Sequence, residues 1–337
     1  MNHLKLLLLI FYFFSSCSNL PHNSTKINGV SFVASRDKAV QQHIDPVLSM
    51  HANHAAVMPF GFIKSLDHPE IMYNTNRQWF GETNDGARQY IKKLQENTIE
   101  VMLKPQIWIW QGEYTGKLKM KSEEDWKILE DSYRVFILDF AKIAQETNTA
   151  MLCIGTELEE FVNHRPAYWD ALIKEIKDIY DGKLTYAANW DEYKRVPFWK
   201  ELDFIGVDAY FPISESKTPT IEESKMGWQR WKQELKELSQ RHKKQIVFTE
   251  FGYRSVDFAG REPWDSNHEW KGVNLDAQTI LTKALFEEHW NEEWFAGGFV
   301  WKWFIDHSKV GGTEDNQFTP QNKPVEAVIK DVFSLKK

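Results

Sequence analysis

The sequence predicts a TIM barrel, a (β/α)8 fold of the α/β class, as a single domain over residues 27–335. Three observations predict it. Eight short apolar runs recur along the chain, separated by amphipathic stretches of helical period. The length, 337 residues, suits a barrel of about 250 residues with long loops. The turn after the first run, Gly29-Val30-Ser31-Phe32, lacks the glycine-rich pattern of a dinucleotide fold, and no phosphate-binding loop occurs.

In chain order, residues 1–17 read as an export signal. Lys5 supplies a positive charge, residues 6–14 are apolar but too few to span a bilayer, and Ser15-Ser16-Cys17 follows. Small residues before a cysteine resemble a bacterial lipoprotein signal. The expectation is a cell-envelope protein anchored to a membrane through lipidated Cys17, with plain secretion as the alternative. Residues 18–26 form a short tether. Strands are expected at 27–32, 55–59, 100–109, 150–155, 184–188, 204–209, 245–249 and 298–303. The clearest helices are 83–97, 123–146, 166–180, 225–241 and 276–291, and segment 324–333 closes the ring. In 123–146, Trp126, Leu129, Tyr133, Phe136, Ile137 and Phe140 recur at three and four, which makes one buried face. There is no internal repeat and no domain linker.

Composition narrows the function. Hydrophobic residues make up 42% of the chain, enough for a full core, and the net charge is -7 without a basic patch, which argues against nucleic acid. There are fifteen Trp, 11 Tyr and 22 Phe; the core accounts for most of the Phe, but fifteen Trp are many for a core alone. Aromatic faces also make stacking surfaces for sugar rings. Apart from Cys17 the one cysteine is Cys153, inside an apolar run and therefore a buried thiol without a disulfide partner. The 11 His are scattered, and no cluster has zinc-ligand spacing, so no metal site is expected.

Barrel chemistry sits at the C-terminal ends of the strands. Reading those ends collects Arg36, Lys104, Gln106, Trp108, Trp110, Glu157, Asn189, Trp190, Asp208, Tyr210, Glu250, Trp301 and Trp303. Glu157 and Glu250 close the fourth and seventh runs, so a barrel turns both carboxylates into one pocket. Two carboxyl groups, about 5–5.5 Å apart in a retaining enzyme, are the equipment for cleaving a glycosidic bond. One must hold a proton and the other be ionised, which like-charge repulsion and hydrogen bonding can arrange. A lone glutamate after a strand is commonly structural; the pairing singles these two out. Glu159 and Glu160 are rivals to Glu157, but acids are favoured at a helix start and they read as capping residues. Tyr210 is placed to donate a hydrogen bond to a carboxylate. Arg36 adds positive potential from the first loop. Asp208 is suited to pairing with a lysine or arginine on a neighbouring strand, and is otherwise expected among the substrate contacts with Arg36, Lys104, Trp108, Asn189, Trp190, Tyr210, Trp301 and Trp303. A lysine near a barrel mouth is costly to bury unpaired, which favours a site role for Lys104. Alternation puts Trp301 and Trp303 on one side of strand eight.

These residues resemble a glycoside hydrolase of the large retaining (β/α)8 clan, most closely family 113, the endo-β-1,4-mannanases. The resemblance runs from Ile27 to Phe333. It is carried by Gly155-Thr156-Glu157-Leu158, Phe204-Ile205-Gly206-Val207-Asp208-Ala209-Tyr210-Phe211-Pro212, Phe248-Thr249-Glu250-Phe251-Gly252-Tyr253 and Asn322-Lys323-Pro324. It implies a catalytic domain in which Glu157 is the acid/base and Glu250 the nucleophile. It also implies cofactor-free hydrolysis of mannan or glucomannan with retention, and β-mannan or manno-oligosaccharide as the partner. The wider clan has Asn before its acid/base; here Thr156 stands there, so the contact to the sugar 2-hydroxyl is made differently or by Thr.

Two long loops shape the cleft. Residues 61–86 hold His68, Arg77 and Trp79. Residues 254–274 hold Arg261, Glu262, Trp264, Asp265, His268 and Trp270. Loops of this length are usually functional, and the aromatics suggest stacking subsites, Trp264 among them. His307 is a further rim candidate. An exo-acting β-mannosidase or a β-glucanase of the same clan, and a binding barrel that has lost catalysis, are the alternatives.

Overall fold

The computed structural model describes residues 25–266 and 272–335; Cys17 and the rest of the expected signal, and His268 and Trp270, lie outside them. Eight parallel strands close a barrel: β1 (Ile27–Phe32), β2 (His54–Val57), β3 (Glu100–Leu103), β4 (Met151–Thr156), β5 (Lys183–Asn189), β6 (Ile205–Asp208), β7 (Ile246–Phe251) and β8 (Phe295–Trp303). Their order around the ring is β1-β8-β7-β6-β5-β4-β3-β2. Outside lie α1 (Gln41–Ser49), α2 (Asn84–Gln95), α3 (Glu123–Glu146), α4 (Pro166–Ile179), α5 (Ile221–His242), α6 (Leu275–His289) and α7 (Pro324–Ser334). Between β5 and β6 a 3-10 turn, Trp199–Glu201, stands where a helix would close the repeat. Among the described residues, no helix is long and apolar enough to cross a membrane.

The helices form where local chemistry directs them. In α3, Ser122 accepts a hydrogen bond from the Asp125 amide, and Glu123, Glu124 and Asp125 occupy the positive end of the helix dipole. Its face from Trp126 to Phe140 is buried as expected. Thr83, Thr220 and Asn274 cap α2, α5 and α6 in the same way. The core outside the barrel is strongly aromatic: Trp169, Trp199 and Trp228 are fully buried. Inside the barrel the filling is small and soft, with Ala56, Met102, Met151, Cys153, Ala187, Val247 and Phe299.

Strand three does not run to residue 109 as expected. The barrel strand ends at Leu103, and after Lys104-Pro105 the chain resumes as a separate strand, Gln106–Ile109. Strand two does the same across Pro59, resuming at Phe60–Ile63. Each proline lacks an amide donor, so the ladder is interrupted there. The Lys104 amide still reaches Val57 O (2.8 Å) and the Gln106 amide reaches Pro59 O (2.9 Å). The two extensions pair in parallel, and Met72–Tyr73 adds an antiparallel edge. The expected loop 61–86 thus begins in this small sheet and contributes its edge at Met72–Tyr73, with a 3-10 turn at Phe80–Glu82 before α2.

Candidate active site

The ends of β3, β6 and β7 converge on Glu250, which is 6% exposed. Its Oε1 accepts from Lys104 Nζ (2.5 Å) and Gln106 Nε2 (3.0 Å), and its Oε2 accepts from the Tyr210 hydroxyl (2.8 Å). Lys104 turns at the same time to Asp208 (3.2 Å), whose Oδ1 also accepts from Thr249 Oγ1 (2.7 Å). One ammonium thus lies between two carboxylates, and donors satisfy the oxygens that face inward. Burial works against the Lys104 charge, but Asp208 and Glu250 outweigh it and hold its pKa above the usual value. Burial, with the charge of Glu250, pushes Asp208 up to about 7 against the pull of Lys104. Burial keeps the Tyr210 hydroxyl protonated, far above its ordinary range, so it stays a donor.

Register and a glycine bring the strand ends together. Glu250 pairs with Asp208 across a shift in the β6–β7 ladder, and Asp208 pairs with Asn189 on β5. At Gly252, just past β7, a Cβ would stand 2.5 Å from the Trp301 carbonyl oxygen, so only glycine lets the ends of β7 and β8 approach.

Glu157 sits one residue past β4. Its φ is +49°, a left-handed value uncommon for a non-glycine residue. Two neighbouring amides anchor it. The Glu157 N–H donates to Ala187 O (2.8 Å) and the Leu158 N–H to the Tyr186 hydroxyl oxygen (2.7 Å). Burial raises the Glu157 carboxyl well above the usual carboxylate range, and the negative charges of Asp208 and Glu250 raise it further. Thr156 Oγ1 is buried beside it at the end of β4. The rivals Glu159 and Glu160 are engaged elsewhere, Glu159 with Arg195 and Glu160 with Lys119.

Other expected residues divide into those at the open face and those behind it. Asn189 Nδ2 donates to the Tyr114 hydroxyl (2.8 Å), and its Oδ1 accepts from the Trp190 amide. Trp190 and Trp264, from the loops after β5 and β7, stack with centroids 4.8 Å apart and planes at 14°. Trp301 keeps part of its surface. Arg36 is exposed and lies over the Trp79 ring at 5.4 Å. Trp108 is 49% exposed on the small sheet rather than on a barrel strand.

Three expected substrate contacts need correction. Trp303 is fully buried and packs against His307, because a one-residue bulge in β8 between Val300 and Trp303 breaks the alternation that paired it with Trp301. Lys104 and Asp208 are also fully buried; they sit behind Glu250 and have no surface to offer a sugar. His307 is no rim residue either, since its Nε2 lies 2.6 Å from Glu326 on α7.

The sequence reading missed Thr249, Tyr114, Tyr186, Glu192 and Lys302. Lys302 is near enough for Glu250 to raise its pKa against the larger lowering by burial. Tyr114 and Glu192 lie in loops and Tyr186 on the outer face of β5, where no period marks them; Thr249 and Lys302 stand next to Glu250 and Trp301, so alternation points them away from the pocket, and the irregularities in β7 and β8 override it.

Among the described residues no cluster of His, Cys, Asp and Glu could hold a metal ion. The arrangement offers two carboxyls in contrasting surroundings, one raised by burial and one ringed by donors, and the loops after β5 and β7 carry a stacked tryptophan pair. The family model "Glycoside Hydrolase Family 113" matches residues 33–323. The fold is similar to that of a family 113 β-mannanase from Alicyclobacillus acidocaldarius, with a TM-score of 0.80 at 24% identity over 93% of this chain and 98% of that one. A second solved family 113 β-1,4-mannanase gives 0.79 at 20% identity, covering 93% and 100%. A β-glucuronidase from Faecalibacterium prausnitzii gives 0.60 at 14% identity, covering 90% of this chain and 48% of that one. A comparison with curated proteins found no match.

Proposed function

The chain belongs to glycoside hydrolase family 113, and from that premise we propose that it is a retaining endo-β-1,4-mannanase that cleaves mannan or glucomannan by double displacement. The observation that carries the assignment of roles is the contrast between the two carboxyls. Glu157, raised by burial and neighbouring charge, is suited to hold a proton in the free enzyme. Glu250, with three donors on its oxygens, is suited to act as a carboxylate.

In the first step Glu157 gives its proton to the glycosidic oxygen as Glu250 attacks the anomeric carbon. The C–O bond to the leaving sugar breaks and a glycosyl ester forms on Glu250. In the second step Glu157, now a carboxylate, takes a proton from water. The water oxygen attacks the anomeric carbon, and Glu250 departs. Lys104 and Tyr210 return the Glu250 carboxylate to one position as its charge is consumed and regenerated. Trp190 and Trp264 offer a stacking face for a sugar ring. The mannanase names of the structural neighbours support mannose-containing substrates.

Protein lacking residues 1–17 should release short manno-oligosaccharides from β-mannan and glucomannan, with little from cellulose or xylan. Glu157→Gln and Glu250→Gln should each lower turnover by a factor on the order of a thousand or more with the fold retained. Mannose as sole product would make the enzyme exo-acting. Absence of any product would leave a carbohydrate-binding barrel.

We also propose export, with lipid attached at Cys17; the sequence of residues 1–17 supports this. Cys17→Ala should move the protein from the membrane fraction to the soluble one, and continued membrane association would remove Cys17 from that role.

A further inference from the structure

Glu192 touches neither carboxyl of the pair, yet it is a carboxyl group with 1% exposure in the turn after β5. Both of its oxygens are engaged. Oε1 accepts from the Tyr186 hydroxyl (2.7 Å) and Oε2 from the Asn189 amide (3.0 Å). The Tyr186 oxygen in turn accepts from the Leu158 amide, adjacent to Glu157. Asn189 carries the connection to the other side, through its side chain to the Tyr114 hydroxyl. Tyr114 is close enough to Glu157 for that charge to raise its pKa, second to burial.

Glu157 holds a left-handed backbone, which persists only where its surroundings enforce it. The enforcement comes from β5. The carbonyl of Ala187 holds the amide of Glu157, and the hydroxyl of Tyr186 holds the amide of Leu158. The second anchor works only while the Tyr186 proton points away from the Leu158 N–H, and Glu192 Oε1, which accepts whether or not Oε2 carries a proton, draws it away.

We propose that Glu192, acting through Tyr186, is a positioning residue that aims the Glu157 carboxyl at the leaving-group oxygen. This deepens the double-displacement reading and rests on it. It also separates Glu192 from a merely structural acid. A glutamine at 192 presents an amide N–H2 to one of two donors, so one contact must break while volume is kept. Phenylalanine at 186 removes the hydroxyl and leaves the Leu158 amide without its acceptor.

The test uses two substrates with each variant. One is a manno-oligosaccharide, whose alkoxide leaving group needs the Glu157 proton. The other is a dinitrophenyl β-mannobioside, whose phenolate leaves without it. The readout is kcat/KM, which reports only steps up to bond cleavage. For Glu192→Gln and Tyr186→Phe, kcat/KM on the oligosaccharide should fall about tenfold to a hundredfold, the scale of a misplaced catalytic group. On the dinitrophenyl glycoside it should change by less than about threefold, since acid catalysis is not called on. Hydrogen exchange at the Leu158 amide, relative to amides within β4, should accelerate in both. Parallel losses on the two substrates, or unchanged Leu158 exchange, would overturn the proposal. Wild-type inactivity on both mannosides would instead sink the mannanase reading, and Leu158 exchange, which needs no substrate, would then decide whether Glu192 holds this backbone.

Discussion

At the scale of single residues, Lys104 shows most plainly how burial and charge are balanced. Taking an ammonium and two carboxylates out of water is costly, and only their mutual contacts offset it. Lys104→Met leaves Asp208 and Glu250 facing each other without a cation. It should lower unfolding stability by about 3–5 kcal/mol, the usual cost of orphaning a buried partner. Adding Asp208→Asn removes one of the two stranded charges. The double variant should therefore be more stable than Lys104→Met alone in denaturant titrations, although Asp208→Asn by itself destabilises. Strictly additive losses would show that the three groups do not act as a unit. Tyr210→Phe makes a gentler change, removing one hydroxyl from Glu250 Oε2. A hydrogen bond to a charged group contributes about 1.5–3 kcal/mol to stability, so the unfolding free energy should fall by up to that amount, and turnover should fall by roughly tenfold to a hundredfold if the bond is kept through the attack of Glu250.

At the scale of elements, α3 is the part most legible in the sequence. Its bounds, Glu123–Glu146, follow from a capping serine, an acidic first turn and a run of apolar residues at helical spacing. Ser122→Ala should cost about 1 kcal/mol, read as a lowered midpoint in chemical denaturation, because the Asp125 amide loses its acceptor. The eight barrel strands were legible for a similar reason: buried parallel strands read as short apolar runs. Where the reading failed, a backbone event had no side-chain signature. Pro59 and Pro105 divide two strands, and the apolar residues beyond them join a different sheet with the same alternation. The bulge in β8 buries Trp303 in the core outside the barrel, and period-two counting cannot see an inserted residue. Helix α1 escaped because its nine residues include Pro46 and bury only Ile44 and Val47. The carboxyl pair was legible because barrel chemistry gathers at strand ends. The Tyr186–Glu192 connection was not, because it runs through one amide and one hydroxyl that only the folded chain brings together.

At the scale of the whole molecule, buried titratable groups of opposite kinds pull the pH dependence of stability in opposite directions. His289 is fully buried among Trp228, Phe248 and Phe295, and burial lowers its pKa from 6.5 to about 3. Between those values the unfolded chain binds a proton that the folded one does not. Stability from this group is therefore complete above pH 6.5 and is lost as pH falls toward 3. The carboxyls act in the opposite sense. Burial raises Glu192 from 4.5 to about 8, and Glu157 and Asp208 are raised as well. Between those values the folded chain holds a proton that the unfolded one has released, so stability is complete below about pH 4.5 and declines as pH rises toward 8. Each group imposes a slope of at most about 1.4 kcal/mol per pH unit within its window. In the overlap from pH 4.5 to 6.5 the single histidine opposes three carboxyls, so the carboxyls win. Unfolding free energies measured by denaturant should therefore decline as pH rises from about 4.5, less steeply below pH 6.5, where His289 opposes the fall, than just above it. His289→Phe, which keeps a ring among those aromatics, should steepen the decline below pH 6.5 and leave the profile above it as it was. Glu192→Gln should make the decline between pH 4.5 and 8 shallower, whatever its effect on stability at the maximum. A profile that responds to neither substitution would place the linkage in other groups and remove His289 and Glu192 from this role.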